Sequence, residues 1–183
     1  MMTTTHAAMG LTGACLLVPV SPELATIAGI GAVLGGAFPD IDILFEHRKT
    51  LHHPELYPVA ALVAGGVALV RPAMYPVAIA AFLGSAALHS LTDVLGGGLG
   101  LRPWEQDDDR GIYLHLSKRW LPPRHWVRYD GAPEDLLAAV GFSILPLVFF
   151  DGRLEAIVLA GLGISAVYVL VRKRLVDVYE KLA

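Results

Sequence analysis

Six stretches of the chain contain no aspartate, glutamate, lysine or arginine, and polar loops separate them. Each has about 15 to 21 residues, which is the short end of what crosses a bilayer core as a helix. The stretches are 7–22, 24–39, 56–70, 72–92, 136–150 and 156–171. This pattern predicts an all-α integral membrane protein, with about six helices in one transmembrane bundle that forms a single domain over residues 1–183.

Composition agrees with this prediction. Hydrophobic residues make up 55% of the chain and charged residues 17%, and the mean hydropathy is +0.57. That profile is typical of a polytopic membrane protein whose partner is membrane lipid. The net charge of −3 is too small to indicate a nucleic-acid partner. A single cysteine, Cys15, excludes an internal disulfide, and we expect it to be a buried small side chain.

The basic residues predict the orientation. With six spans, one side of the membrane carries the N-terminus, the loops 40–55 and 96–135, and the tail after residue 171. All of the 14 Lys and Arg lie on that side except Arg71 and Arg153. By the positive-inside rule this side is cytoplasmic. We therefore expect a multi-pass protein of the cell membrane with both termini in the cytoplasm.

The loop 96–135 is the largest polar segment. Within it, residues 112–116 and 125–129 alternate between apolar and polar side chains, and Pro122–Pro123 lies between them. This pattern predicts a small hairpin on the cytoplasmic face. Tryptophan is enriched at the headgroup level of membranes, and we expect the same of Trp104, Trp120 and Trp126.

Histidine and aspartate residues are concentrated at the inner ends of the predicted helices. His89 and Asp93 are four residues apart in one helical stretch, so they project from one face. Asp40 and Asp42 follow Pro39, where the second helix ends. If the chain leaves that helix in an extended conformation, both carboxylates point the same way.

Two more histidines lie at the same level, because His6 starts the first helix and His52 directly precedes the third. The outer side of the bundle holds no histidine. Mixed imidazole and carboxylate ligands suit Zn²⁺, with Mn²⁺ or Fe²⁺ as alternatives, better than Ca²⁺. The pattern predicts a site for one or two divalent metal ions with the ligands His6, Asp40, Asp42, His52, His89 and Asp93.

Asp42 and Arg48 are the candidate catalytic residues. Arg48 adjoins the ligand loop, and its guanidinium group has the geometry to bind a phosphate. The alternative for Arg48 is a basic anchor at the cytoplasmic surface.

Four motifs, in order, resemble those of the YdjM-like family of membrane-bound metal-dependent hydrolases. Residues 5–10 (THAAMG) resemble its Thr-His-x-x-x-Gly, and residues 38–42 (FPDID) its Pro-Asp-x-Asp. Residues 47–52 (HRKTLH) are similar to its His-Arg-x-x-Thr-His, with leucine in place of the usual threonine before the last histidine. Residues 89–93 (HSLTD), a glycine-rich stretch and Pro103 resemble its fourth motif.

The resemblance implies a hydrolase with one or two bound metals. A site at the inner headgroup level indicates a lipid or lipid-linked phosphoester as substrate. Two alternatives remain, a divalent-metal or proton transporter and a non-catalytic protein in which the His/Asp cluster stabilises the bundle. Transport sites usually lie near the membrane midplane on broken helices, whereas these residues lie at helix ends. The oligomeric state is left open.

Overall fold

The computed structural model describes residues 1–182. Within these residues the fold is all-α apart from one short hairpin, and each predicted stretch contains one helix. The helices are α1 (Thr3–Ala14), α2 (Pro22–Ala37), α3 (Leu56–Val70), α4 (Met74–Thr92), α5 (Pro133–Phe149) and α6 (Gly152–Leu182). Turns of 3₁₀-helix continue α2 over Pro39–Leu44 and α4 over Asp93–Leu95.

Three helical segments are long and apolar enough to cross a membrane: Pro22–Leu44, Met74–Leu95 and Gly152–Leu182. The helix Leu56–Val70 is also apolar but shorter. Apolar side chains on the outside of the bundle are strongly exposed, for example Val70 (89%) and Leu170 (77%). A surface of this kind is expected where helices face lipid, so the structure indicates a membrane protein.

Helix α2 lies between α1 and α4 and contacts both backbones closely. A Cβ atom built at Gly35 would lie 2.0 Å from the Phe82 carbonyl oxygen in α4. At Gly36 it would lie 2.7 Å from the Ala7 Cα atom in α1. Only glycine allows backbones to approach this closely. The start of α1 and the ends of α2 and α4 are thereby brought together.

The hairpin pairs β1 (Ile112–Leu114) with β2 (Arg119–Leu121) in antiparallel register, Ile112 opposite Leu121. The predicted second strand at 125–129 is therefore wrong. The chain turns earlier, where Lys118 adopts a left-handed conformation (φ 51°).

Residues 124–127 instead lie along the continuation of α4. The Arg124 amide donates to the Val94 carbonyl (2.7 Å), and the Val127 amide to the Leu95 carbonyl (3.0 Å). Val127 and Tyr129 are buried in a small core beneath this segment. The alternating pattern thus marks a segment with one buried side, but its backbone partner is not the hairpin strand.

Candidate metal centre

Four of the predicted ligands come together at one end of the bundle, where α2 and α4 end. His89 lies in the last turn of α4, and Asp93 begins its 3₁₀ continuation. Asp40 lies in the 3₁₀ turn after α2, and His52 in the loop before α3. Each offers one nitrogen or oxygen atom, and these four atoms lie within 4.8 Å of one another.

The separations between these atoms suit a four-coordinate ion. His52 Nε2 lies 3.2 Å from His89 Nε2 and 3.2 Å from Asp93 Oδ2. His89 Nε2 lies 3.3 Å from Asp40 Oδ1 and 3.6 Å from Asp93 Oδ2. His52 Nε2 lies 3.9 Å from Asp40 Oδ1. Ligands about 2.0–2.2 Å from a tetrahedral Zn²⁺ lie about 3.3–3.6 Å apart, so the set fits such an ion with small adjustments.

Hydrogen bonds on the far side of each ring fix the histidine tautomers. His89 Nδ1 lies 2.6 Å from the Gly36 carbonyl oxygen, which can only accept. His52 Nδ1 lies 2.8 Å from the Asp42 carboxylate. When both rings are neutral, Nδ1 carries the hydrogen and Nε2 presents a lone pair. In that state two lone pairs would face each other at 3.2 Å beside two carboxylate oxygens, and a bound cation would stabilise the arrangement.

Three of the four residues of the centre are deeply buried. His52, His89 and Asp93 are at most 1% exposed, whereas the Asp40 side chain is 19% exposed. Burial by itself would lower the pKa of His52, but the nearby Asp42 and Asp93 carboxylates outweigh that effect and raise it. Asp40 is consequently the member through which the centre meets solvent.

His6 lies beside this group rather than within it. Its Nε2 is 3.0 Å from the other oxygen of Asp93, Oδ1, and its ring stacks on His89 with centroids 3.7 Å apart. The Met1 amino group donates to the same Asp93 oxygen (3.0 Å). His6 thus contacts the centre through Asp93 and the His89 ring.

Asp42 does not point the same way as Asp40, so the expectation of parallel carboxylates is wrong. The segment Pro39–Leu44 is a 3₁₀-helix, in which residues two apart diverge by about 120° around the axis. Asp42 accepts hydrogen bonds from the Leu51 amide (3.1 Å) and from His52. It also lies 2.8 Å from His47 Nδ1.

Asp42, His47 and His52 form a second group that could hold an ion. Sequence reasoning did not select His47 as a ligand. The signal was its place five residues after Asp42 and five before His52, on the one short loop that carries both rings.

Arg48 is buried (5% exposed) and is held by the backbone. Its Nη1 donates to the carbonyl oxygens of Gly97 (2.6 Å) and Gly111 (3.2 Å). Its Nε lies 3.4 Å from Asp93 Oδ2 and makes no hydrogen bond. The guanidinium charge therefore lies next to the centre, and its contact with a substrate stays a prediction.

The hairpin supports the ligand loop, a role that the sequence did not reveal. The Tyr113 amide donates to the Arg48 carbonyl (3.1 Å). His115 Nε2 lies 2.9 Å from the Lys49 carbonyl and 3.0 Å from the His52 carbonyl. These contacts hold the carbonyl groups of Arg48, Lys49 and His52, so they fix the backbone of the ligand loop.

A cavity of about 720 Å³ opens beside the centre. Asp40, His47 and Arg48 line one wall, and Arg110 and Arg172 lie on others. Ile43, Phe45, Leu101 and Trp120 are among its apolar lining residues. The cavity is large enough for a small organic ligand. Its lining combines apolar surface with charges of both signs, since Glu46 and Asp130 also line it.

No family model, curated protein or solved structure matches the chain. The resemblance to the YdjM-like family therefore rests on the four motifs, and three of these motifs supply the four residues of the centre.

Proposed function

We propose that this protein is a membrane-bound metal-dependent hydrolase of the YdjM-like type, acting on a lipid or lipid-linked phosphoester at the cytoplasmic membrane face. The observation that carries the proposal is the close approach of His52 Nε2 and His89 Nε2, 3.2 Å apart, while each Nδ1 atom already faces an acceptor. Two carboxylate oxygens at matching distances and an adjoining cavity with three arginines in its lining support it.

In this proposal Asp40, His52, His89 and Asp93 are the ligands, and zinc is the ion that two imidazoles and two carboxylates suit best. Asp42 orients His52 by accepting from its Nδ1, and His6 orients Asp93. Groups behind the ligands commonly set their tautomer and basicity. A second ion between Asp42 and His47 is the two-metal variant of the same proposal.

A divalent cation supplies Lewis acidity and lowers the pKa of water, the chemistry that hydrolysis of an ester requires. The residues of the chain supply binding and orientation. Asp40 faces the cavity, so the substrate approaches from that side. Arg110 and Arg172 line the cavity paired with Asp108 and Asp130, and an anionic headgroup could share their charge. Arg48 adds charge close to the centre.

The proposed topology has six spans and two cytoplasmic termini. It rests on the asymmetry of the basic residues and on the match between the six helices and the six charge-free stretches. Reporter fusions after residue 182 and within the loop 104–130 should both report a cytoplasmic location. An external signal from either would refute the span count or the orientation.

The test of function is metal analysis of the detergent-purified protein, followed by hydrolysis of bis(p-nitrophenyl) phosphate and of lipid phosphoesters. We expect about one zinc ion per chain and hydrolysis that a chelator abolishes and zinc restores. Arg48→Ala should keep its metal while the KM for an anionic substrate rises, because the guanidinium group binds substrate without being a ligand. Absence of bound metal would refute the proposal. Bound metal without hydrolysis would favour a transporter or a structural cluster.

A further inference from the structure

A narrow apolar groove leads from the cavity into the helix bundle. Its volume is about 310 Å³, and α1, α2, α5 and α6 form its walls. Small residues such as Ala8, Ala139 and Gly161 leave the space open, while Leu11 and Val158 lie towards the outer end. Neither the ligands of the proposed centre nor the topology requires such a groove.

The groove and the cavity adjoin each other. Thr3, Thr4, Ile164 and Ser165 line both. At the boundary the Thr4 and Ser165 hydroxyls are hydrogen-bonded to each other (2.7 Å). The Thr3 hydroxyl donates to Asp40 Oδ2. The polar end of the groove thus lies one side chain from a proposed metal ligand.

The dimensions of the groove suit one hydrocarbon chain. The lining residues of α1 run from Thr3 to Leu11, a rise of about 12 Å along the helix. A volume of 310 Å³ over that length leaves a cross-section about 5 Å on a side. One row of carbon atoms fits this width, since carbon atoms in contact are about 3.5–4.0 Å apart. A helix, about 10 Å across, does not fit.

We propose that the groove binds a single hydrocarbon chain of the substrate, whose anionic head lies in the cavity beside Asp40. The substrate class is then an amphiphile with one chain that can separate from the bilayer, such as a monoalkyl or monoprenyl phosphoester. The inference rests on the proposed function for the identity of the head. The chain site itself rests on the groove.

The experiment uses two photoreactive dodecyl phosphates, with a diazirine near the head or at the last carbon, and the full chain in nanodiscs. The head-proximal probe should label peptides that contain Thr4 or Ser165. The tail-end probe should label peptides that contain Leu11 or Val158. Excess dodecyl phosphate should compete with both probes, whereas inorganic phosphate should not.

Gly161→Leu places a side chain in the groove, because a Cβ atom there already meets the Thr4 methyl at 3.8 Å. Labelling should fall at least tenfold in this variant. Gly163→Leu, two residues along the same helix, is the matched control, since a Cβ atom there meets nothing within 4 Å. Its labelling should equal that of the parent protein. The parent protein tests the proposal even if Gly161→Leu does not fold, because the two probes must label different ends of the groove.

Labels confined to the lipid-facing surface, or labelling unchanged by Gly161→Leu, would overturn the groove assignment. Metal content and hydrolysis of bis(p-nitrophenyl) phosphate, measured on the same samples, separate the two proposals. Normal metal and hydrolysis with an unlabelled groove overturn the chain site alone. A labelled groove in a protein without metal overturns the hydrolase alone.

Discussion

Two carboxylate sites lie at the same end of the bundle, and they differ in what surrounds them. Asp135, in the first turn of α5, is fully buried and accepts from the Met2 amide (2.8 Å), the Thr5 hydroxyl (2.7 Å) and the Gly131 amide (3.1 Å). At the centre, Asp93 Oδ2 and Asp40 Oδ1 face the Nε2 atoms of His52 and His89.

The difference distinguishes a structural carboxylate from candidate metal ligands. A buried carboxylate is stable when protein donors replace water, and Asp135 has three. The facing oxygens of Asp40 and Asp93 instead lie beside histidine nitrogens whose rings already have an acceptor at Nδ1, so a shared cation suits them. Burial alone is thus a poor guide to metal binding, and the partners of each carboxylate are a better one.

The largest expected effect is the loss of metal from the centre. His89→Ala or Asp40→Asn should lower zinc from about one ion per chain to less than a tenth of that, because each change removes a ligand and Asp40→Asn also removes charge. Asp135→Asn is the control and should keep its metal. Equal zinc in His89→Ala and the parent protein, by elemental analysis, would make the cluster structural.

A smaller effect on zinc binding is expected at Asp42, which contacts the proposed ligand His52. Asp42→Asn should weaken zinc binding by about 10–100-fold, the usual result of losing a carboxylate behind a histidine ligand. Competition with a chelator of known affinity measures this change. An affinity like that of His89→Ala would instead place Asp42 among the ligands of an ion.

The smallest effect on metal content is expected at Asp135, where three protein donors surround the carboxylate. Asp135→Asn should lower the free energy of unfolding by about 1–3 kcal/mol, since it leaves buried amide and hydroxyl groups with a poorer acceptor. Thermal unfolding in detergent should show this loss equally with zinc and with chelator. A loss confined to the zinc-loaded protein would mean that Asp135 acts through the centre.

Much of this arrangement was predictable because it depends on periodicity and charge. A run without charged residues must be buried or face lipid, so the six helices followed from the sequence. His89 and Asp93 share a helix face by spacing alone. The close contact of α2 with α4 through glycine was also predictable in general terms, because small residues are common where membrane helices meet.

The remaining features depend on local geometry or on partners distant in sequence. The segment after Pro39 could form either an extended strand or a 3₁₀ turn. The backbone conformation determines the direction of the Asp42 side chain. The alternation of apolar and polar residues over 125–129 indicates that one side of the segment is buried. It does not indicate which segment pairs with its backbone. Asp135 lies in an acidic first helical turn that suits solvent equally well, and only folding places Thr5 against it.

The position of the ligands along the chain has a consequence for biosynthesis. The four residues of the centre lie between Asp40 and Asp93, and neither α5 nor α6 supplies one. The close approach of α2 to α4 through Gly35 involves only helices made early. During translation all four residues of the candidate centre are therefore made before the last two helices leave the ribosome.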